Sequence, residues 1–174
     1  MGYKTRYSGA SANFAAIFPG IPAHTSNPVA HGSATGMYAA NDTIYCRVLA
    51  GYTRAATGIR LHLTASSGNI AVAVYADNGS GLPGTRLATS GSVASPGTGP
   101  QTVTFSPSVD VMPGMWIAIS ADNTTVTFSR AGLPNGTTSV MGTRFQAIQT
   151  SAFPPPATAS AAAAWRAEYL LVAV

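Results

Sequence analysis

Apolar and polar residues alternate with a period of two along much of the chain. The clearest run is Gly58-Ile59-Arg60-Leu61-His62-Leu63-Thr64. A strand there puts Ile59, Leu61 and Leu63 on a core face and Arg60, His62 and Thr64 on the other. Ser66-Ser67-Gly68-Asn69 has turn composition. Beyond it, residues 70–75 alternate again, with Ile70, Val72 and Val74 on one face. So short a separation predicts a hairpin between the two runs. Residues 43–50 are β-branched and aromatic and read as an earlier strand.

The later chain reads the same way. Residues 77–84 form a dense turn cluster in which Gly supplies positive φ, Asp and Asn tolerate it, and Pro fixes a corner. Residues 86–93 are a weaker strand and 95–100 a loop. Residues 101–105 form a short strand that Pro107 should end. Met112-Pro113-Gly114 is a turn. Residues 115–120 are apolar on both faces, which predicts a central strand. Asp122-Asn123-Thr124 leads into another alternating run at 125–129. Residues 131–164 look irregular: Leu133-Pro134-Asn135-Gly136 is a turn, Phe153-Pro154-Pro155-Pro156 favours polyproline II, and Ala161 to Ala164 fits a helical turn. The last residues, 168–174, read as a strand that pins the C-terminus into a sheet.

The first 40 residues differ. Pro19, Pro22 and Pro28 sit among many Gly, Ala and Ser, which disfavours long helices and strand interiors. Aromatic residues are interleaved, and a flexible linker rarely carries so many. The chain therefore divides into an extended N-terminal arm, residues 1–40, and a β-sandwich domain, residues 41–174. About eight short strands with turns between them predict an all-β fold, an antiparallel β-sandwich of jelly-roll-like form.

Length and composition fit this reading. A chain of 174 residues can bury one sizeable core. Only 8% of residues are charged, whereas soluble domains average roughly 25%. The surface must then consist of Ser, Thr, Asn, Gln, Gly and small apolar groups, which suits packing in an assembly or an ordinary Thr- and Ser-rich secreted domain. Nine basic residues against five acids give a net charge of +4. The arginines, Arg6, Arg47, Arg54, Arg60, Arg86, Arg130, Arg144 and Arg166, are scattered and form no phosphate-tracking stripe, so no nucleic-acid partner is expected. Cys46 is the lone cysteine and lies in an apolar run, where it reads as a small buried hydrophobe. No window is long and apolar enough to span a membrane, so no membrane insertion is expected. No secretory leader is expected either, which points to synthesis in a cytoplasm.

Candidate chemistry is thin. The histidines are His24, His31 and His62, and the acids are Asp42, Asp77, Asp110, Asp122 and Glu168. They form no zinc-protease, nucleophile-elbow or phosphate-loop motif. The chain reads as non-catalytic, with no catalytic residue, metal or cofactor. Asp77-Asn78-Gly79 and Asp122-Asn123 have oxygens suited to calcium, but Asp and Asn in such turns more often bond their own backbone. Tyr52, Tyr75, Asp77 and Asn78 are the candidate surface-recognition residues. Tyr3, Tyr7, Phe14 and Phe18 of the arm are candidate assembly contacts, because exposed aromatics favour burial.

Two segments carry a family resemblance. One runs from Gly68 through Tyr75-Ala76-Asp77-Asn78-Gly79 and Gly81-Leu82-Pro83-Gly84 to Gly91. The other is Met112-Pro113-Gly114-Met115-Trp116-Ile117-Ala118-Ile119-Ser120-Ala121-Asp122-Asn123. Together they resemble β-sandwich modules of tailed-bacteriophage tail-fibre and minor tail proteins, over roughly residues 43–130. The resemblance implies a virion structural protein, made in the host cytoplasm and placed in the virion. A tail-fibre or tail-tip appendage with host-surface binding leads, ahead of a capsid decoration protein; a bacterial carbohydrate-binding module is the rival outside that class. The implied partners are other virion proteins, further copies in a homo-oligomer (a trimer), and a host cell-surface glycan.

Overall fold

The computed structural model describes residues 34–37, 39–48, 53–132, 146–164, 168–170 and 172–173. None of these is helical. They form thirteen strands: β1 (Ala34–Gly36), β2 (Thr43–Arg47), β3 (Arg54–Ala65), β4 (Asn69–Asp77), β5 (Pro83–Thr89), β6 (Val93–Ala94), β7 (Gly99–Val111), β8 (Trp116–Ala121), β9 (Thr127–Gly132), β10 (Gln146–Gln149), β11 (Ala162–Ala164), β12 (Glu168–Leu170) and β13 (Val172–Ala173). The fold is all-β. The described pairings are antiparallel, from β1 against β9 to β10 against β11.

Hydrogen bonding follows the path β1-β9-β3-β7-β5-β4-β8-β2-β10-β11. A single residue pair, Thr89 with Ser106, joins β7 to β5. On either side of that joint lie two halves whose inner faces share one core. The first half gives Ile59, Leu61, Leu63, Val103, Phe105 and Phe128; the second gives Ile44, Ile70, Val72, Val74, Ile117 and Ile119. This is a sandwich-like arrangement built from period-two strands.

The predicted hairpin between residues 58–64 and 70–75 does not form. β3 pairs with β7, β9 and β13, and β4 with β5, β6 and β8. Side by side in one sheet, the two apolar rows would lie on one face and need a cover. Crossing between the halves, they face each other and cover one another. Gly68 makes the crossing: its φ is +56°, and a Cβ there would collide with Asn123 Nδ2 and Asp122 Oδ1.

Pro107 does not end its strand. β7 runs on to Val111, and the register against β3 jumps between Ala56 opposite Val109 and Gly58 opposite Thr104. Thr57 alone therefore faces residues 105–108. A proline inside such a bulge costs no ladder hydrogen bond.

The alternating face of β4 is not solvated, as a one-sided strand would require. Ala71, Ala73 and Tyr75 are as buried as Ile70, Val72 and Val74. β8 is buried at every position and lies between β4 and β2, as its two apolar faces predict. The outer face of the second half carries its own cluster of Tyr45, Ala73, Tyr75, Trp116, Ala118 and Ala147, with Leu82, Ala159 and Ala161 against it. Its cover is the strap from Thr150 to Ala161, within the stretch read from sequence as irregular. The predicted helical turn at Ala161 to Ala164 is strand instead: Ala162–Ala164 pairs with β10. The predicted C-terminal pinning is present, with β12 on β9 and β13 on β3. At the other end, Ala34–Gly36 already pairs with β9 and Met37 is buried, so the last residues assigned to the arm belong to the sheet.

Candidate functional site

The end of β4, the start of β8 and the end of β2 lie side by side, because Tyr75 pairs with Trp116 and Trp116 with Arg47. This register collects two turns, residues 77–82 and 112–115, at one end of the molecule. The second turn is held by Val48, whose N–H donates to Met115 O at 2.8 Å and whose carbonyl accepts from Gly114 N at 2.7 Å.

Asp77 organises the first turn. Its Oδ1 accepts from the backbone N–H of Gly79 at 2.8 Å and of Gly81 at 3.2 Å. Its Oδ2 accepts from Trp116 Nε1 at 3.1 Å and lies 3.4 Å from Arg47 Nη2. The Arg47 guanidinium sits 5.7 Å from the Trp116 ring centroid, in cation–π range. Asn78 repeats the pattern one residue on, its Oδ1 accepting from Ser80 N at 2.8 Å and Leu82 N at 3.2 Å. Burial alone would raise the Asp77 pKa. The hydrogen bonds from Trp116, Gly79 and Gly81 and the Arg47 charge outweigh it and hold the carboxyl below its ordinary value.

Both side-chain oxygens of Asp77 thus accept from protein donors, the Oδ1 in the manner of an Asp-Asn-Gly turn. Asp122 is treated alike at the far end of β8. It accepts from Asn69 N at 3.0 Å, Asn69 Nδ2 at 2.7 Å and Asn123 Nδ2 at 2.6 Å, and the Asn69 backbone bond leads the causes that lower its pKa. Among the described residues no group of three or more His, Cys, Asp or Glu side chains is placed to hold a metal.

The candidate recognition residues separate. Asp77 and Asn78 lie together in the turn, where Asn78, Gly79 and Ser80 are exposed. Tyr75, expected at the surface, is corrected to the interior: it is 0% exposed, beneath the strap. Its hydroxyl donates to Pro156 O. The same strand alternation that sends Val74 inward sends Tyr75 to the opposite face, which the strap covers. Tyr45 is buried beside it, with ring centroids 5.2 Å apart in an edge-to-face pair at 79°. Tyr52 and the assembly candidates Tyr3, Tyr7, Phe14 and Phe18 lie outside the described residues. His62 is half-buried, with Nδ1 2.8 Å from Ser129 Oγ. Sequence reasoning missed Arg47 as the partner of Asp77, since the pairing crosses from β2 to the end of β4. It also missed Met112, which at 42% is the exposed large hydrophobic among the described residues and stands at the tip of the second turn.

Comparison with protein-family models, curated proteins and solved structures finds no match to this chain. The fold and the site together define an all-β, sandwich-like module with a turn-bearing end braced by hydrogen bonds.

Proposed function

We propose that this chain is a non-catalytic structural protein of a bacteriophage virion, a tail-fibre or tail-tip appendage whose turn-bearing end contacts the host surface. In this reading the sandwich is a jelly-roll-like module and the N-terminal arm attaches it to other virion proteins. One observation carries the reading. The two segments that resemble tail-fibre modules fold as neighbours, β5-β4-β8, and bring their turns to one exposed end that Asp77 braces. Loops on a rigid sandwich are the usual place for recognition. Polar turn groups already bonded within the turn lose little freedom on contact, so the end is preorganised.

The test is a glycan array probed with the purified full chain, beside immunogold labelling of virions that carry the protein. Specific glycan hits, weakened by substitutions at Asn78, Ser80 and Met112, with label at the tail, are expected. Label over the head at hundreds of copies would favour the decoration role, which the low surface charge also suits. Tight glycan binding with no virion label would favour a bacterial carbohydrate-binding module.

A further inference from the structure

The strap lies on the outer face of the second half as a ligand lies in a groove. The floor is small, with Ala73, Ala118 and Ala147 wholly buried, and Tyr45 and Tyr75 stand beside it. Most of the hold is on the strap's main chain. Tyr75 OH donates to Pro156 O, Arg86 Nη1 to Pro155 O, Arg86 N to Ala157 O, and Thr43 Oγ1 to Ala152 O. Ala159 N donates back to Gly84 O at 2.9 Å. Such contacts read an extended, proline-bearing backbone more than its side chains. Ser120 Oγ, wholly buried in the floor, meets no hydrogen-bond partner among the described residues, although its neighbour Thr43 does.

The arm carries an echo of the strap. Phe18-Pro19-Gly20-Ile21-Pro22-Ala23-His24-Thr25-Ser26 matches Phe153-Pro154-Pro155-Pro156-Ala157-Thr158-Ala159-Ser160 in its Phe-Pro start, the Pro-Ala that follows, and a Ser three residues past that Ala, with the Thr one position later in the arm. We propose that the groove under the strap is a docking site for arm residues 18–26 of a second copy, which take the strap's place when copies assemble. The strap competes from within its own chain at an effective concentration of about millimolar. A neighbour's arm held in an oligomer competes on the same scale, so the balance rests on fit. The arm brings one residue more between its Phe-Pro and its Pro-Ala. This inference stands whether or not the chain belongs to a virion, because it concerns only copies of the chain.

The test adds a synthetic peptide of residues 15–27 to dilute full-length protein and follows amide hydrogen exchange. Saturable binding is expected, with exchange at Ala159 at least about tenfold faster as its bond to Gly84 is lost. A peptide carrying P19A and P22A should do neither. Raising the concentration of the full chain should speed Ala159 in the same way, and the same two substitutions in the chain should abolish that dependence. The idea is overturned by any of three results: Ala159 exchange that no concentration of the full chain changes, peptide binding that leaves Ala159 protected, or a substituted peptide that acts as well as the native one.

Discussion

Removing the Tyr75 hydroxyl should cost more stability than removing the Tyr45 hydroxyl, although the two rings are neighbours and equally buried. Tyr75 OH donates to the Pro156 carbonyl, for which no other described donor is present. Tyr75→Phe therefore loses a hydrogen bond and leaves the half-buried Pro156 carbonyl without its described donor, at a cost of about 1 to 3 kcal/mol. Tyr45 OH donates at 3.1 Å to Gln149 Oε1, which also accepts from Ser160 N at 2.8 Å. After Tyr45→Phe that oxygen keeps a partner, so only the net worth of one bond is lost, about 0.5 to 1.5 kcal/mol. Urea unfolding followed by far-ultraviolet circular dichroism gives both values, and an unchanged slope shows that the transition itself is the same. The difference, near 1 kcal/mol, corresponds to about 2 to 4 °C in Tm for a chain of this size. Equal losses, or a larger loss for Tyr45→Phe, would refute the claim that the strap is latched through Tyr75.

The same pair predicts an alkaline limit. Burial pushes the Tyr45 phenol up to about 12, against the pull of the Tyr75 hydroxyl, and burial raises Tyr75 as well. The unfolded chain, with tyrosines near 10, then releases protons first, so stability is full below pH 10 and falls as pH rises toward 12, measurable as a declining urea midpoint beside phenolate absorbance. At the acid side Asp77 works in the opposite sense. Its lowered pKa contributes stability above the ordinary carboxylate range that is lost as pH falls through the folded value, and Asp77→Asn should flatten that part of the pH profile. Two glycines separate strain from collision. Gly91 has φ +65° with no described atom within 4 Å of an added Cβ, so Gly91→Ala should cost about 1 to 2 kcal/mol, whereas Gly68→Ala adds contact with the Asp122–Asn123 pair and should cost clearly more in the same melts.

The features legible in the chain are local. Period two placed Ile59, Leu61 and Leu63 on one face and Arg60, His62 and Thr64 on the other, and the structure keeps that division. Two apolar faces made residues 115–120 central, and Asp-Asn-Gly made the turn at 77–79 whose side-chain oxygens accept the turn's own amides. These follow from bonds between near neighbours and from strand geometry, which a single sequence carries. Which strands meet was settled only by packing in three dimensions. The turn at 66–69 reads alike for a hairpin and for a crossing; the need to bury Ile70, Val72 and Val74 against Ile59, Leu61 and Leu63 selects the crossing. Nor does any local signal say that residues 150–161, read as irregular and proline-rich, lie across the face that carries Tyr75. The burial of that tyrosine depends on a carbonyl 81 residues away, and the partner of Asp77 is an arginine brought from β2. Contacts at such separation are chosen by the shape of the whole core, so the Asp77–Asn78 turn could be read from the chain, while its Arg47 brace and the burial of Tyr75 could not.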